Sequence, residues 1–551
     1  MLRNLFLLFS LIDLLAIKKC VAQPLSLDPA VTVTNFMAIR KNAVRIEMCS
    51  FDGHLYYNTI NGNIYRVSDS SGTMVDSLVA NVSNHNANYL QGLTIRDSII
   101  YIAGNHKANG TSGYGIVARA IIQPNGSLVW SSIITTVPYQ SAIALYDHAF
   151  SCVVLNDAGD SLYINCGSRT DHGELQTING QFPATRDVPL TSLILKVPTS
   201  LNGYVLLNDS AWLDATGFVY ARGFRNNFDM AFNIHHDLIG VENSGDRDDP
   251  EEINWLRQGL HYGFPWLIGG HNTPQQFPGY NPSADSLINH HTLGWTQNFF
   301  NNDSTFPVQP SITFTQPIPN YGPYADKYRD TTGQIHDASD NGTFIYSLTP
   351  HRAPLGLVFD RHKILGGNYT GDGLFLCYTI GTLDSSGYTP GVGVGPFLEK
   401  GQELLHLVLS KDTISQTYSA HVYPVITGFN TPVDAALDSN ILYVIENRRT
   451  NDTAGAFIWK ITFPLNTVSV FTPQAAQELK IFPNPSKGNV NIDLPVNTLE
   501  VQITNALGKI VEHAMIFNKS TINFQLAENG IYLVSILTGN QMIKGKIVIC
   551  K

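Results

Sequence analysis

Along most of the chain the apolar positions fall in short β-branched and aromatic runs. From Ala30 to Phe463 these runs recur in pairs around Gly, Asn and Asp turns, the pattern of antiparallel hairpins. His54–Asn58 faces Gly62–Val67 across Ile60-Asn61-Gly62-Asn63. Further groups begin near Ser98–Ala103, Asp160–Asn165 and Met230–Val241; Phe344–Leu348 is matched with Leu374–Thr379, and Asn440–Glu446 with Ala456–Phe463. Groups at irregular spacing of about 60–90 residues predict an all-β chain built as a β-propeller with long insertions between blades. A sustained helical period is almost absent, which excludes α/β-hydrolase and doubly wound layouts. Gly269–Asn302, rich in Asn, His, Pro and Gln, reads as an insertion loop. A propeller collects short loops at one mouth of a central channel, so functional groups are sought there.

The two ends depart from this pattern. After one Arg, an apolar run from Leu5 to Ile17 is broken by Ser10 and Asp13. It is shorter than the roughly 20 residues a membrane span needs. Cys20-Val21-Ala22 places small residues at −3 and −1 before Gln23, so residues 1–22 are expected to be a cleaved secretory signal. A lipoprotein anchor on Cys20 is disfavoured by Lys18 and Lys19. No other window is apolar enough to span a membrane. At the far end, residues 466–477 form a polar linker, and seven short strands follow in residues 478–551: Leu479–Phe482, Val490–Leu494, Glu500–Thr504, Lys509–Phe517, Thr521–Leu526, Gly530–Thr538 and Gln541–Ile549. That density predicts a small C-terminal β-sandwich. Ile481-Phe482-Pro483-Asn484-Pro485 with Gly488, Asn505-Ala506-Leu507-Gly508-Lys509, Gly530-Ile531-Tyr532 and Lys544…Lys546 resemble the sorting domain of the type IX secretion system. The resemblance implies a partner, the type IX machinery, and export through periplasm and outer membrane of a Bacteroidota-type bacterium.

Composition narrows the classes. Charged residues make up 14% and the net charge is −10, from 34 Lys+Arg against 44 Asp+Glu. An acidic chain without a basic stripe argues against nucleic-acid binding. There is no zinc-type Cys/His spacing and no P-loop. Five cysteines follow the signal, too few for a disulfide scaffold. Cys152 and Cys166 flank the turn Asp157-Ala158-Gly159-Asp160; they form a disulfide or remain two buried thiols.

The strongest local signal is Arg222-Gly223-Phe224-Arg225-Asn226-Asn227-Phe228-Asp229-Met230-Ala231-Phe232. An acidic loop, Val241 to Asn254, and a turn, Gly259-Leu260-His261-Tyr262-Gly263-Phe264-Pro265-Trp266, follow it. This order resembles the soluble quinoprotein glucose dehydrogenase family, the glucose/sorbosone dehydrogenases. Ala353-Pro354-Leu355-Gly356-Leu357, the Leu374–Cys377 strand and Asn440-Ile441-Leu442-Tyr443-Val444 extend the resemblance over most of residues 23–465. It implies a six-bladed β-propeller that binds pyrroloquinoline quinone (PQQ) and calcium and oxidises an aldose, a small-molecule sugar. His148, in Asp147-His148, is the implied base, a role suited to imidazole. Arg225, Asn226 and Asn243 are the implied cofactor contacts, the guanidinium through charge-assisted hydrogen bonds.

Calcium takes hard oxygen ligands. The resemblance places the carbonyls of Ser244 and Gly245 near a cofactor calcium, and Glu251, Glu252 and Tyr262 near a structural one. Asp246, Asp248, Asp249, Glu251 and Glu252 put five carboxylates in seven residues, with Arg247 among them. The chain also departs from the family. The family's aspartate after the His strand aligns with Gly167 or Ser168, with Asp171 three residues on. The expected Lys is replaced around Thr379-Ile380-Gly381 and an Arg-x-Arg pair around Phe429-Asn430-Thr431-Pro432, so that cofactor binding would be weak unless Arg352 or another residue substitutes. The alternative reading is a non-catalytic secreted propeller that binds glycans or a surface partner.

Overall fold

The computed structural model describes residues 23–551 except 109–111, 143–145, 179–180, 382–396, 449–454, 467–478, 496–497, 507, 517–518 and 539–541. The expected signal and most of the expected linker lie outside the described residues. The chain divides into two compact units, residues 1–467 and 468–551, and the described structure is all-β with a few short helices.

Among the described residues of the first unit, six principal sheets follow one another. Sheet I holds Ala43–Cys49, His54–Thr59, Ile64–Ser70 and Thr73–Ala80; its second turn places Gly62 at φ 87°. A Cβ on Gly62 would lie 2.3 Å from the Ala87 carbonyl, so glycine meets both the backbone and the space requirement. Sheet II holds Tyr89–Arg96, Ile99–Ala108, Ser112–Ile122 and Leu128–Thr136. Sheet III holds Phe150–Leu155, Ser161–Cys166, Leu193–Pro198 and Val219–Arg222. Sheet IV is Asn227–Phe232, Leu238–Glu242 and Glu252–Leu256. Sheet V is built on Pro354–Phe359, Gly373–Ile380, Gly401–Asp412 and Thr417–Thr427. Sheet VI is Pro432–Asp438, Ile441–Glu446 and Ala456–Thr462, and its fourth strand is Thr32–Ile39 from the other end of the unit, paired antiparallel from Thr32↔Thr462 to Ile39↔Ala456.

The leading strand of each sheet packs against the leading strand of the next, I on II through to V on VI, and VI returns to I. One apolar cluster fills each of the six interfaces. Tyr56, Ile64, Ile100 and Ile102 lie between I and II, for example, and Ile46, Tyr57, Val433 and Ile445 between VI and I. The leading strands are covered on both faces and read as nearly continuous apolar runs.

A buried ion group joins the leading strands. Arg45 of sheet I donates to the carbonyls of Gln91 and Phe228 and pairs with Asp229 at 3.2 Å and Asp434 at 3.4 Å. Asp229 accepts from Leu357 N at 2.7 Å and from Cys152 Sγ at 3.2 Å, and Asp434 accepts from Ile46 N at 2.8 Å. Sheets I to VI thus all bond to one charged group, whose members satisfy one another away from water. Cys152 packs between sheets III and IV and Cys166 between II and III, on opposite faces of sheet III; both thiols are free.

One expected pairing is corrected. Ile345–Tyr346 pairs with Pro319–Pro323, and Gly373–Ile380 with Pro354–Phe359 and Gly401–Asp412. Composition marks the strands but carries no information on which distant run completes the ladder.

The second unit has two sheets around one core that includes Val490, Ile503, Phe524, Val534 and Ile547. Ile481–Phe482, Asn489–Asp493 and Thr521–Gln525 form one; Ile510–Met515, Thr498–Asn505, Gly530–Thr538 and Met542–Ile549 form the other.

Candidate functional site

The sheet III loop that carries His148 enters the leading strand at Phe150. The His148 backbone N donates to the Ser168 carbonyl at 3.0 Å, and Nδ1 lies 3.1 Å from the same oxygen. A carbonyl only accepts, so Nδ1 carries the proton and Nε2 presents its lone pair. Burial, and then the Arg225 charge, lower the His148 pKa to about 3. The ring is neutral at physiological pH. Gly167 makes this closeness possible, because a Cβ there would lie 2.5 Å from the His148 Cβ.

Arg225 and Asn226 stand just before the leading strand of sheet IV. The Arg225 carbonyl accepts from Ser168 N at 2.7 Å, tying the His148 loop to the Arg225 loop. The guanidinium donates to the Asp171 carbonyl and to Asp171 Oδ1, each at 2.8 Å, and to the Asn243 carbonyl at 3.2 Å. Asn226 Nδ2 donates to Asn243 Oδ1 at 2.9 Å, and Asn243 Nδ2 to the Pro354 carbonyl at 2.9 Å. Side chains from sheets III and IV and a carbonyl of sheet V thus meet at one end of the leading strands. Asn226 Oδ1 and Ser244 Oγ are buried there without a hydrogen-bond partner among the described residues.

Sequence reasoning left out the second layer of this cluster. Asp171 is the carboxylate partner of Arg225. Burial disfavours its charge, but Arg225 and His172 outweigh burial and hold its pKa below the usual carboxylate range. His172 Nδ1 is 2.9 Å from Asp171 Oδ2, and Glu174 accepts from the backbone N of both Asp171 and His172. Asp246 N donates to Asp171, and Tyr146 OH donates to Asp246 Oδ2 at 2.5 Å. Burial and the nearby Asp171 raise the Asp246 pKa. The run Asp171-His172-Gly173-Glu174 was the available signal, three ionisable side chains in four residues.

The acidic loop is buried and its carboxylates point to separate partners. Asp248 meets His351 at 2.7 Å and Arg329 at 2.9 Å, and Asp249 meets Arg247 and, at 3.0 Å, His271. Glu251 accepts from Ala353 N, and Glu252 from Asn254 Nδ2 and Gly269 N. Burial raises both glutamates to about 7. Tyr262 OH bonds Trp255 O and Arg257 N inside the interface of sheets III and IV. The structure therefore brings His148, Arg225, Asn226, Asn243 and Ser244 together with Asp171, and leaves Glu251, Glu252 and Tyr262 on different hydrogen-bond partners. No group of three or more His, Cys, Asp or Glu side chains among the described residues is arranged to hold a metal ion.

The insertion closes over the second layer. Gly294 N donates to Asp246, the Phe299 carbonyl meets His172 Nε2 at 3.2 Å, and the Phe300 ring stacks on His172 at 4.3 Å. Arg352 is buried against Glu399 and Glu403.

Residues 480–550 match the family model of the secretion system C-terminal sorting domain. No curated protein matches the chain. Among solved structures the chain is similar to the PQQ domain of pyranose dehydrogenase from Coprinopsis cinerea (14% identity, 80% of this chain and 97% of that one, TM-score 0.46). It is also similar to the soluble aldose sugar dehydrogenase of Escherichia coli (12%, 78% and 99%, TM-score 0.48) and to the PQQ-bound aldose sugar dehydrogenase of Streptomyces coelicolor (13%, 79% and 99%, TM-score 0.42). The chain's structural neighbours are thus PQQ-dependent soluble sugar dehydrogenases, and its C-terminal unit has the likeness of a secretion sorting domain.

Proposed function

We propose that residues 23–465 form a six-bladed β-propeller, exported through the type IX route by the C-terminal domain, that oxidises a small sugar with PQQ and calcium. The observation that carries the reading is His148. It is a neutral imidazole, fixed through Nδ1 on the Ser168 carbonyl, in a loop that Ser168 N ties to the Arg225 carbonyl. That is the arrangement a general base needs, because the tautomer is set before the substrate arrives. His148 takes the proton of the sugar hydroxyl at Nε2. Asp171 holds the Arg225 guanidinium so that its charge stays at the site.

The unpartnered Asn226 Oδ1 and Ser244 Oγ fit a polar planar group bound against them, since a buried polar atom left unpaired costs about 1–3 kcal/mol. Arg225, Asn226 and Asn243 would hold PQQ, and the Ser244 and Gly245 carbonyls the calcium. When bound, the quinone would accept the sugar's hydride and calcium would act as its Lewis acid.

The test is reconstitution of the full chain with PQQ and calcium, followed by reduction of an artificial electron acceptor across a panel of aldoses. Activity is expected, with a loss of about 10²–10⁴-fold in His148→Ala. No activity with any sugar, or activity unchanged in His148→Ala, overturns the reading.

One observation favours a second reading, the non-catalytic propeller that binds a glycan or surface partner. The cations near the site are already matched by carboxylates: Arg225 by Asp171, Lys107 by Asp147 at 3.6 Å, and Arg352 by Glu399 and Glu403. A cofactor with three carboxylates would have to compete for them. Calorimetric titration with PQQ alone separates the two readings.

A further inference from the structure

Between sheets I and II, away from the His148 cluster, lies a groove of about 400 Å³. Its floor is the outer part of sheet II, where Trp130, Ser132 and Thr135 lie beside Tyr114 and Ile116. Its wall is the helical turn Val82–His85, capped by Asn81 and ended by Asn86 at φ 65°. The ladder slips by one residue between Ser132 and Ile134, which breaks the flat pleat at this place.

The groove's chemistry is specific. No described lining residue is Asp, Glu, Lys or Arg. The one titratable ring, His85, is brought down to about 4 by burial, so it too is neutral. Two aromatic rings of the lining are held in place by neighbouring side chains. Tyr114 stacks on His106 at 5.2 Å and accepts a hydrogen bond from Asn86 at 2.7 Å, and Trp130 packs on His85 at 5.0 Å. Serine, asparagine and threonine side chains supply the remaining polar groups. Trp130 Nε1 and Ser132 Oγ are buried and have no hydrogen-bond partner among the described residues, which is costly unless a ligand or water completes them.

An anion would find no cation here and a cation no carboxylate. A hydrocarbon would leave the hydroxyls and amides unpaired. A neutral polyhydroxylated ring satisfies both kinds of surface, with its C–H faces on the aromatic rings and its hydroxyls on the amides and hydroxyls; the volume suits one or two such rings. We propose that this groove is a saccharide-binding site, separate from the central site, that holds a neutral sugar as a free molecule or as a unit of a surface polysaccharide.

The experiment is calorimetric titration of the full chain with neutral monosaccharides, oligosaccharides and a long neutral polysaccharide. Wild type, His148→Ala, Trp130→Phe and Asn86→Ala are compared, with thermal unfolding recorded for each. Saturable binding is expected that survives in His148→Ala and weakens at least tenfold in Trp130→Phe and in Asn86→Ala, measured for each below the onset of its unfolding. Binding by monosaccharides assigns the free ligand, and binding by the polymer alone assigns the surface source. Absence of binding by every sugar overturns the proposal. So does binding that disappears in His148→Ala, or that is undiminished in both Trp130→Phe and Asn86→Ala. The His148→Ala arm keeps this outcome distinct from failure of the central-site reading.

Discussion

Arg45 illustrates what one buried charge does in this fold. It meets two carboxylates and two carbonyls where the leading strands converge, and its neighbour two positions on, Glu47, lines the same channel beside Thr94. Burial, then repulsion from Asp434 and Asp229, push the Glu47 carboxyl from its ordinary 4.5 up to about 8. Between those values the folded chain holds a proton that the unfolded chain has released. The contribution of Glu47 to stability therefore falls as pH rises across that window and is level below it and above it. Glu47→Gln keeps the shape and removes the titration. Urea midpoints measured at pH 5 and pH 8 are expected to drop more in wild type than in the variant; equal drops would rule out Glu47 as a source of the slope. At the site, His148, Arg225, Asn226 and Asn243 were singled out through the resemblance of their short motifs, and the structure joins their loops by hydrogen bonds. Asp171 was not assigned its role, because its meeting with Arg225 across 54 residues is created by the packing of sheet III on sheet IV. Glu251, Glu252 and Tyr262 were grouped through the family resemblance, and strand alternation and a turn give them separate hydrogen-bond partners.

At the scale of the strand, burial on both faces demands close approach, and glycine sets how close. Gly356, in the leading strand of sheet V, has the backbone of sheet VI against it. A Cβ there would lie 2.6 Å from the Asp434 Cα and 3.1 Å from the Ala435 N. These are backbone atoms in a tightly paired strand, so neither can move aside as a flexible side chain would. Gly356→Ala is expected to destabilise by about 1–3 kcal/mol through overpacking, read as a lowered denaturation midpoint; a neutral result would show that sheets V and VI can separate at small cost. Hairpins such as His54–Thr59 with Ile64–Ser70 were readable from their turns. The partner of Ile345–Tyr346 was not, since several runs of similar composition were available and the tertiary fold pairs it with Pro319–Pro323.

For the molecule as a whole, the decisive contact is the longest in sequence. Thr32–Ile39 completes sheet VI by pairing with Ala456–Thr462, and its Val33 and Met37 enter the interfaces on either side of that sheet. Deleting residues 23–40 exposes the ladder edge of Ala456–Thr462 and removes apolar side chains from two interfaces. Limited proteolysis is expected to cut sheet VI first in the truncated chain, with an unfolding midpoint below that of wild type. Unchanged protection of that sheet would mean that the strand is dispensable. The second unit has its own core around Val490, Ile503 and Val534, which is why its seven strands could be read from local pattern alone.

The sequence by itself determined the all-β character, the strand-rich C-terminal unit with its sorting-domain likeness, and the identity of the short motifs that bear His148 and Arg225. These depend on neighbours within a few residues, where periodicity, turn chemistry and motif order are expressed directly. Only the tertiary structure decided which sheets meet, that Arg45 binds Asp229 and Asp434, that Asp171 holds Arg225, and that the acidic loop is buried and divided among separate partners. Those outcomes depend on contacts between residues tens to hundreds of positions apart, and they follow from mutual burial of the sheets, which no local window of sequence contains.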